Sequence, residues 1–180
     1  MKHLSENTMR MFPTEIQKRH IDFQFKAIGT IYNHILNENM FLHEDGQEMM
    51  NKQEMLNEVM SMRHKPEFSF IKMKYVDMQA VESEIDTLSK WVEKNRAKAK
   101  RNTPEFPLFK LKNRHYKTYE IMIDELHPNS NSANIGVIKN AVRISEYRGE
   151  PLDKVPATVL KFPSGIYKLV INTYTEEGQR

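Results

Sequence analysis

The chain contains no cysteine among its 180 residues, which excludes disulfide bonds, cysteine-ligated zinc and a catalytic thiol. It also lacks any apolar run that approaches the roughly 20 residues of a membrane-spanning helix. Its first residues, Met1–Asn7, contain no hydrophobic segment of the kind found in signal peptides, so we expect a cytoplasmic protein without a membrane partner. With 39% hydrophobic and 28% charged residues, the composition is typical of a soluble globular protein that buries a core.

Familiar catalytic motifs are missing as well. The sequence has no Walker loop, no GxGxxG and no GxSxG, and its seven histidines show no HxxxH or His-x-His spacing for a shared metal ion. The carboxylates Glu82, Glu84 and Asp86 fall on the polar side of a predicted helix, where solvation explains them without catalysis. We therefore predict no catalytic residue, no metal site and no cofactor.

Charge is distributed unevenly, although the net charge of +3 is too small to identify a partner. The segment from Leu36 to Met60 is acidic, with Glu38, Glu44, Asp45, Glu48, Glu54 and Glu58 against one base, Lys52. The segment from Lys90 to Thr118 is basic, with Lys90, Lys94, Arg96, Lys98, Lys100, Arg101, Lys110, Lys112, Arg114 and Lys117 against Glu93 and Glu105. A solvated helix end followed by a loop would show the same basic pattern, but such an excess also suits a phosphate backbone. The interleaved rings of Phe106, Phe109, Tyr116 and Tyr119 favour nucleic acid, because bases stack on aromatic side chains.

Periodicity divides the chain into a helical half and a strand-rich half. Apolar residues at helical spacing predict helices over about Thr14–Asn37, Gln47–Arg63 and Tyr75–Arg101. The predicted strands are Asn7–Phe12, Tyr116–Ile123, Val137–Ile138, Val142–Ile144, Thr158–Phe162 and Ile166–Tyr174. The composition of His127–Asn134 predicts a loop. This order indicates an α+β protein in which the first strand joins the C-terminal sheet and the helices are an insertion into a β-barrel.

The clearest local signal is a β-hairpin near the C-terminus. Two β-rich runs, Ala157–Phe162 and Ile166–Tyr174, flank the turn sequence Pro163-Ser164-Gly165. Proline fixes φ near −65° and glycine accepts positive φ, which together suit a tight reversal of the chain.

Seven segments, in order along the chain, carry a resemblance to one family. They are Met11–Gln17, Thr30–Leu36, Ala80–Trp91, Glu105–Lys110 with its Phe-Pro-x-Phe-Lys sequence, His115–Thr118, Ile135–Lys139 and the hairpin Val159–Ile171. Together they resemble the N-terminal half of the transposon-encoded TnpB proteins, which are RNA-guided DNA nucleases related to compact type V CRISPR effectors. Glu105 departs from the glycine usual in that family, which implies a changed turn.

The resemblance implies a wedge-type, oligonucleotide-binding-like β-barrel over residues 1–13 and 102–180, with a three-helix recognition lobe over 14–101. It implies guide RNA and duplex DNA as partners in a prokaryotic, nucleoid-associated setting, where base pairing reads most of the sequence. The side chains expected to bind nucleic acid are Lys74, Gln79, Lys98, Lys100, Arg101, Lys110, Lys112, Arg114, Tyr116 and Lys117. Among these, Lys74 and Gln79 are expected at the duplex beside the target.

In the family a nuclease domain and a zinc ribbon follow this region, beginning just after the position of Thr175. Neither is present in this sequence, so we expect binding without cleavage, with a nuclease-domain polypeptide as a candidate partner. A second interpretation is a regulatory protein-interaction module that binds or completes a larger effector. That module would use the acidic, methionine-rich helix around Glu44–Met60, whose methionines otherwise serve as flexible core filler.

Overall fold

A computed structural model describes residues 2–99, 104–110 and 117–176 and confirms the α+β class. The helices are α1 Glu15–Glu44, α2 Lys52–Ser61 and α3 Met78–Ala99, with short 3₁₀ turns at Met62–His64, Pro66–Phe68 and Met73–Tyr75. The strands are β1 Lys2–Phe12, β2 Lys117–Leu126, β3 Ser132–Ala133, β4 Val142–Ile144, β5 Leu152–Lys161 and β6 Tyr167–Glu176.

The chain divides into two compact units, each of which we describe by itself. The sheet unit comprises Met1–Phe25 and His115–Arg180, and the helical unit comprises Lys26–Arg114. The domain boundaries expected from the sequence lie at 13/14 and 101/102. The first part of α1 belongs with the strands, because it packs on them: the ring of Phe25 meets the ring of Tyr119 edge-on, with centroids 4.9 Å apart.

The sheet unit is built on one antiparallel sheet with the strand order β2-β5-β6-β1-β4-β3. The N-terminal strand β1 pairs with β6 from Lys2↔Glu176 to Met11↔Tyr167 and with β4 at Met11↔Ile144 and Phe12↔Arg143. The prediction that the first strand joins the C-terminal sheet is therefore confirmed. The edge strands β2 and β3 approach each other, so the sheet curls into a half-barrel.

Alternation along the strands gives this sheet a buried face and an outer face. Met9 and Met11 of β1 are buried, and Tyr119, Ile121, Val159, Leu169 and Ile171 join them in the core. Residues between these positions point to the opposite face, as the two-residue period of a strand requires. The N-terminal part of α1 contributes its buried Ile21 and Phe25 to the same unit.

The predicted hairpin is confirmed as β5 and β6. The amide of Phe162 donates to the carbonyl of Ile166 at 2.9 Å, the amide of Gly165 donates to the carbonyl of Phe162 at 2.9 Å, and Gly165 has a φ of 79°. The predicted strand Val137–Ile138 is wrong. Those residues form a turn, in which Gly136 takes a φ of 48° and the amide of Ile138 bonds the carbonyl of Ile135 at 3.0 Å.

The helical unit keeps the predicted apolar faces but shifts the helix ends. The first helix continues past Asn37 to Glu44, because the buried Asn39 bonds the carbonyl of Ile35 and the amide of Met50. The second helix begins later than predicted, at a capping box in which Asn51 and Glu54 bond each other's backbone amides.

The third helix begins at Met78, not at Tyr75. The carboxylate of Asp77 accepts the amide of Ala80 at 3.2 Å, which caps the first turn. Its apolar face is buried as predicted through Val81, Ile85 and Leu88.

Gln17 fastens the start of α1 to the sheet unit. Its side-chain oxygen accepts the amide of Thr14 at 3.0 Å, while Thr14 Oγ1 accepts the amide of Gln17 at 3.3 Å. Gln17 Nε2 also donates to the carbonyls of Asn140 and Ala141, each at 3.3 Å. The buried Gln17 side chain thus completes the N-terminal cap of α1 and satisfies two backbone carbonyls of the loop before β4.

Replacing Gln17 with alanine should lower the free energy of unfolding by about 2 kcal/mol, because a cap and two bonds to loop carbonyls are lost together. Urea denaturation followed by circular dichroism measures this change. Gln47→Ala is the matched control, since Gln47 is exposed and should shift stability by no more than about 0.5 kcal/mol. Equal effects of the two substitutions would show that Gln17 has no such role.

Candidate nucleic-acid interface

Two of the predicted binding residues, Lys74 and Gln79, lie on the surface of the helical unit. Lys74 is in the 3₁₀ turn Met73–Tyr75, and its Nζ is 4.8 Å from the centroid of the Tyr75 ring. That ring is 56% exposed. Gln79 is exposed in the first turn of α3. The structure therefore brings a cation, an aromatic ring and an amide side chain into one short surface segment.

Buried residues hold this segment in place. Ile71 and Val76 are 4% and 5% exposed and anchor the chain on either side of the turn. The amide of Tyr75 donates to the carbonyl of Lys72 at 2.8 Å, and the amide of Val76 donates to that of Met73 at 3.1 Å. With Ile71 and Val76 turned inward, Lys72, Lys74 and Tyr75 are left facing solvent.

A second lysine–ring pair in the helical unit involves residues that were not predicted to bind nucleic acid. Lys26 Nζ is 5.1 Å from the centroid of the Phe70 ring, which is 50% exposed. The signal in the sequence is the alternation Phe70-Ile-Lys-Met-Lys-Tyr75, which interleaves aromatic and basic residues as the later basic segment does. We call the following group of residues the aromatic–lysine patch: Lys26, Phe70, Lys72, Lys74, Tyr75 and Gln79.

Among the residues that the structure describes, Lys26, Lys72 and Lys74 form no ion pair. Three other lysines of the helical unit are paired, Lys65 with Glu58 at 2.5 Å and Lys52 and Lys90 with Asp86 at 2.6 and 2.5 Å, whereas Lys94 of α3 forms no ion pair with a described residue. The charges of the patch are therefore available to a phosphate without first breaking an internal pair.

Lys110 occupies a different environment from the one predicted. Its ammonium is paired with the buried carboxylate of Glu84 and lies 5.1 Å from the Tyr32 ring centroid, with 14% of the side chain exposed. Its backbone exchanges two hydrogen bonds with the Asn33 side chain, at 2.6 and 2.7 Å. This residue anchors segment 104–110 to α1 and α3, so we leave it out of the proposed interface.

Two other predicted residues lie in described elements. Lys117 is exposed at the start of β2 in the sheet unit, opposite Lys161 of β5. Lys98 lies in α3, but its side chain is outside the described part. Five further predicted residues also lie outside the described ranges: Lys100, Arg101, Lys112, Arg114 and Tyr116.

The acidic, methionine-rich segment uses much of its chemistry internally. Glu58 accepts hydrogen bonds from His34 at 2.7 Å, Lys65 at 2.5 Å and Ser61 at 3.0 Å. Burial alone would raise the pKa of Glu58, but these three donors outweigh it and the pKa falls below its usual 4.5. The methionines at positions 55 and 62 are fully buried, so they serve as core filler.

No protein-family model matches the chain, and no curated protein matches it significantly. Within the described ranges, no three histidine, aspartate or glutamate side chains are grouped as they would be around a metal ion. None of the described helices has the length and apolarity needed to cross a membrane. The resemblance to TnpB consequently depends on the sequence motifs and stays a hypothesis.

Replacing Lys110 with methionine should lower the free energy of unfolding by about 3 kcal/mol, because the buried Glu84 carboxylate loses its partner. The double variant Lys110→Met/Glu84→Gln should recover much of that loss, since the unpaired charge is then removed as well. Lys94→Met, at an exposed position of α3, is the control and should change stability little. Thermal and urea unfolding measure all three; an unchanged stability of Lys110→Met would contradict the anchoring role.

Proposed function

We propose that the chain is a nucleic-acid-binding module. The observation that carries the proposal is the aromatic–lysine patch, in which Lys26 and Lys74 lie over exposed aromatic residues and have no carboxylate partner among the described residues. Phosphates would bind the ammonium groups of Lys26, Lys72 and Lys74, and unpaired bases would stack on Phe70 or Tyr75. Gln79 would supply an amide that both donates and accepts hydrogen bonds.

The small energy of a single lysine–phosphate contact explains why several cations must act together. Two unit charges 4 Å apart in water attract by only about 1 kcal/mol, so one exposed lysine binds a phosphate weakly. Each phosphate that is neutralised also releases condensed counterions, which makes affinity fall as salt rises. A ring beside the cation adds about 1–3 kcal/mol per stacked base, and this gain does not depend on the sequence of the strand. The patch combines both contributions.

At the family level, we propose a wedge-like role for the sheet unit and a recognition role for the helical unit. Guide RNA and target-adjacent duplex DNA are the proposed ligands, with a nuclease-domain polypeptide as a candidate partner in the prokaryotic cytoplasm. Two features support this assignment: the N-terminal strand pairs with the C-terminal hairpin, and the three helices lie between them in sequence. This is the layout that the seven motifs imply.

The regulatory protein-interaction module has weaker support. Phe41 and Met60 are 55% and 45% exposed in the helical unit, which offers some apolar surface to a protein partner. Against it, Glu58 is committed to internal hydrogen bonds and Glu54 to the cap of α2. The acidic charge expected to attract a partner is therefore partly used inside the unit.

The test is fluorescence anisotropy with labelled single-stranded RNA and duplex DNA over a series of salt concentrations. Wild type should bind, and Lys26→Gln/Lys74→Gln should weaken binding and reduce the salt slope by about 1.8 on duplex DNA and about 1.4 on a single strand. Phe70→Leu/Tyr75→Leu should weaken binding to the single strand, with a smaller effect on its salt slope.

The matched control is Lys52→Gln/Lys90→Gln, which removes the same charge from the same unit at lysines that are paired with Asp86. This control should keep the wild-type salt slope to within a few tenths of a unit. If the control and the patch variant lose affinity and slope equally, the patch is not the interface. Adding Mg²⁺ to the wild-type complex should leave the labelled strands intact, as expected for binding without cleavage.

A further inference from the structure

The outer face of the sheet unit carries a second group of cations and rings, remote in sequence from the aromatic–lysine patch. Arg10 and Phe12 stand two residues apart on β1, so both point to the outer face while Met9 and Met11 fill the core. Arg143 of β4 is directly opposite Phe12. Strand pairing therefore builds this group from residues that are far apart in the chain.

The same face extends onto the neighbouring strand β6. Lys168 is directly opposite Arg10 across the β1–β6 ladder. Its Nζ is 5.2 Å from the centroid of the Phe162 ring at the end of β5. Three cations and two rings thus occupy adjacent strands of one sheet face.

Phe12 is the centre of this group. The Arg143 Cζ is 5.0 Å from its ring centroid and the Arg10 Cζ is 5.4 Å away, both over the ring. The ring nevertheless remains 38% exposed. Part of the ring is therefore still accessible to a planar group, beside one guanidinium on its own strand and another across the ladder.

Arg10, Arg143 and Lys168 form no ion pair with any residue that the structure describes. On the buried side of the same sheet, by contrast, Lys161 does have an acidic partner. Its ammonium donates to both carboxylate oxygens of Asp22, at 2.6 and 2.7 Å. Asp22 thus neutralises Lys161 on the buried side, whereas Arg10, Arg143 and Lys168 on the outer face have no carboxylate partner among the described residues.

Two acidic residues of the outer face lie on a more distant strand. Glu120 and Asp124 are on β2, which is separated from β1 by β5 and β6. Three strand spacings correspond to roughly 14 Å along the sheet, more than the Debye length of about 8 Å at physiological salt. These two carboxylates therefore do little to screen Arg10 and Arg143, whose charge suits a polyanion.

We infer that this face binds single-stranded nucleic acid, with phosphates on Arg10, Arg143 and Lys168 and an unpaired base stacked over Phe12. The inference rests on the proposed function and adds a second contact surface, in the sheet unit, with a preference for single strands. A duplex hides the faces of its bases and offers only phosphates, so it cannot use the ring. An acidic peptide would also bind the cations, but it has no base that could stack on the Phe12 ring.

The experiment uses the full chain and labelled oligouridine, oligothymidine and duplex DNA, each of about twelve nucleotides or base pairs. Phe12→Leu keeps an apolar side chain but removes the stacking ring, so we expect roughly tenfold weaker binding of single strands and little change for the duplex. Arg10→Gln/Arg143→Gln should weaken binding and reduce the single-strand salt slope by about 1.4. Comparing the two single strands tells whether RNA or DNA is preferred.

Lys139→Gln/Arg148→Gln is the matched control, because it removes two exposed charges from loops of the same unit. It should leave the single-strand preference unchanged. Circular dichroism verifies that each variant is folded; should Phe12→Leu fail this check, the arginine variant carries the test, since it keeps the ring.

Three outcomes would overturn the inference. Wild-type binding that the Phe12 and arginine variants retain, while the Lys26→Gln/Lys74→Gln variant loses it, would remove this surface and keep the proposed function. Equal losses for strand and duplex in Phe12→Leu, or full competition by an acidic peptide, would refute the single-strand preference. Failure of wild type to bind any of the three probes would refute the proposed function and this inference together.

Discussion

The pairing of β1 with β6 is the interaction on which the rest of the structure depends. It joins the first residues of the chain to the last described ones, from Lys2↔Glu176 to Met11↔Tyr167. Because β1 and β6 are neighbours in one sheet, the helices and the other strands all lie between these two paired strands in the chain. The same ladder fixes which face Arg10 and Phe12 present, since a shift of one residue would turn them into the core.

A second feature distinguishes two groups of cations in the described part of the protein. Lys65, Lys110 and Lys161 are bound by carboxylates, and each ties one element of its unit to another. The cations at Arg10, Arg143, Lys26 and Lys74 lie over aromatic rings, as Lys110 and Lys161 also do, but they have no carboxylate partner among the described residues. A ring holds a cation with about 0.5–1 kcal/mol at an exposed site, which orients the charge without neutralising it. Such a cation can still bind a phosphate, and this distinction is the basis of both proposed surfaces.

Local signals in the sequence were enough to predict the fold class, the apolar helix faces and the C-terminal hairpin, because each depends on a period or on a turn of three residues. The prediction failed where a tertiary contact decides the outcome. Nothing near Asn37 shows that α1 continues, since the deciding bonds connect Asn39 to Met50 in the next segment. Val137 and Ile138 favour a strand by residue type, but the positive φ of Gly136 turns the chain there.

The candidate site was harder to predict for the same reason. A run of basic residues cannot show which cations already have partners: Lys110 belongs to the basic segment, yet Glu84 holds it inside the helical unit. The pairs Lys26–Phe70 and Phe12–Arg143 form only when remote parts of the chain meet.

The most direct measurement of the central claim is photo-crosslinking of a thiouridine-containing RNA strand to the wild-type chain, followed by mass spectrometry of the peptides. The account predicts that crosslinks concentrate in peptides containing Phe12, Phe70 or Tyr75, where rings support cations without carboxylate partners. Crosslinks confined to the peptides around the carboxylate-bound lysines Lys65 and Lys161, or no crosslinks at all, would contradict it.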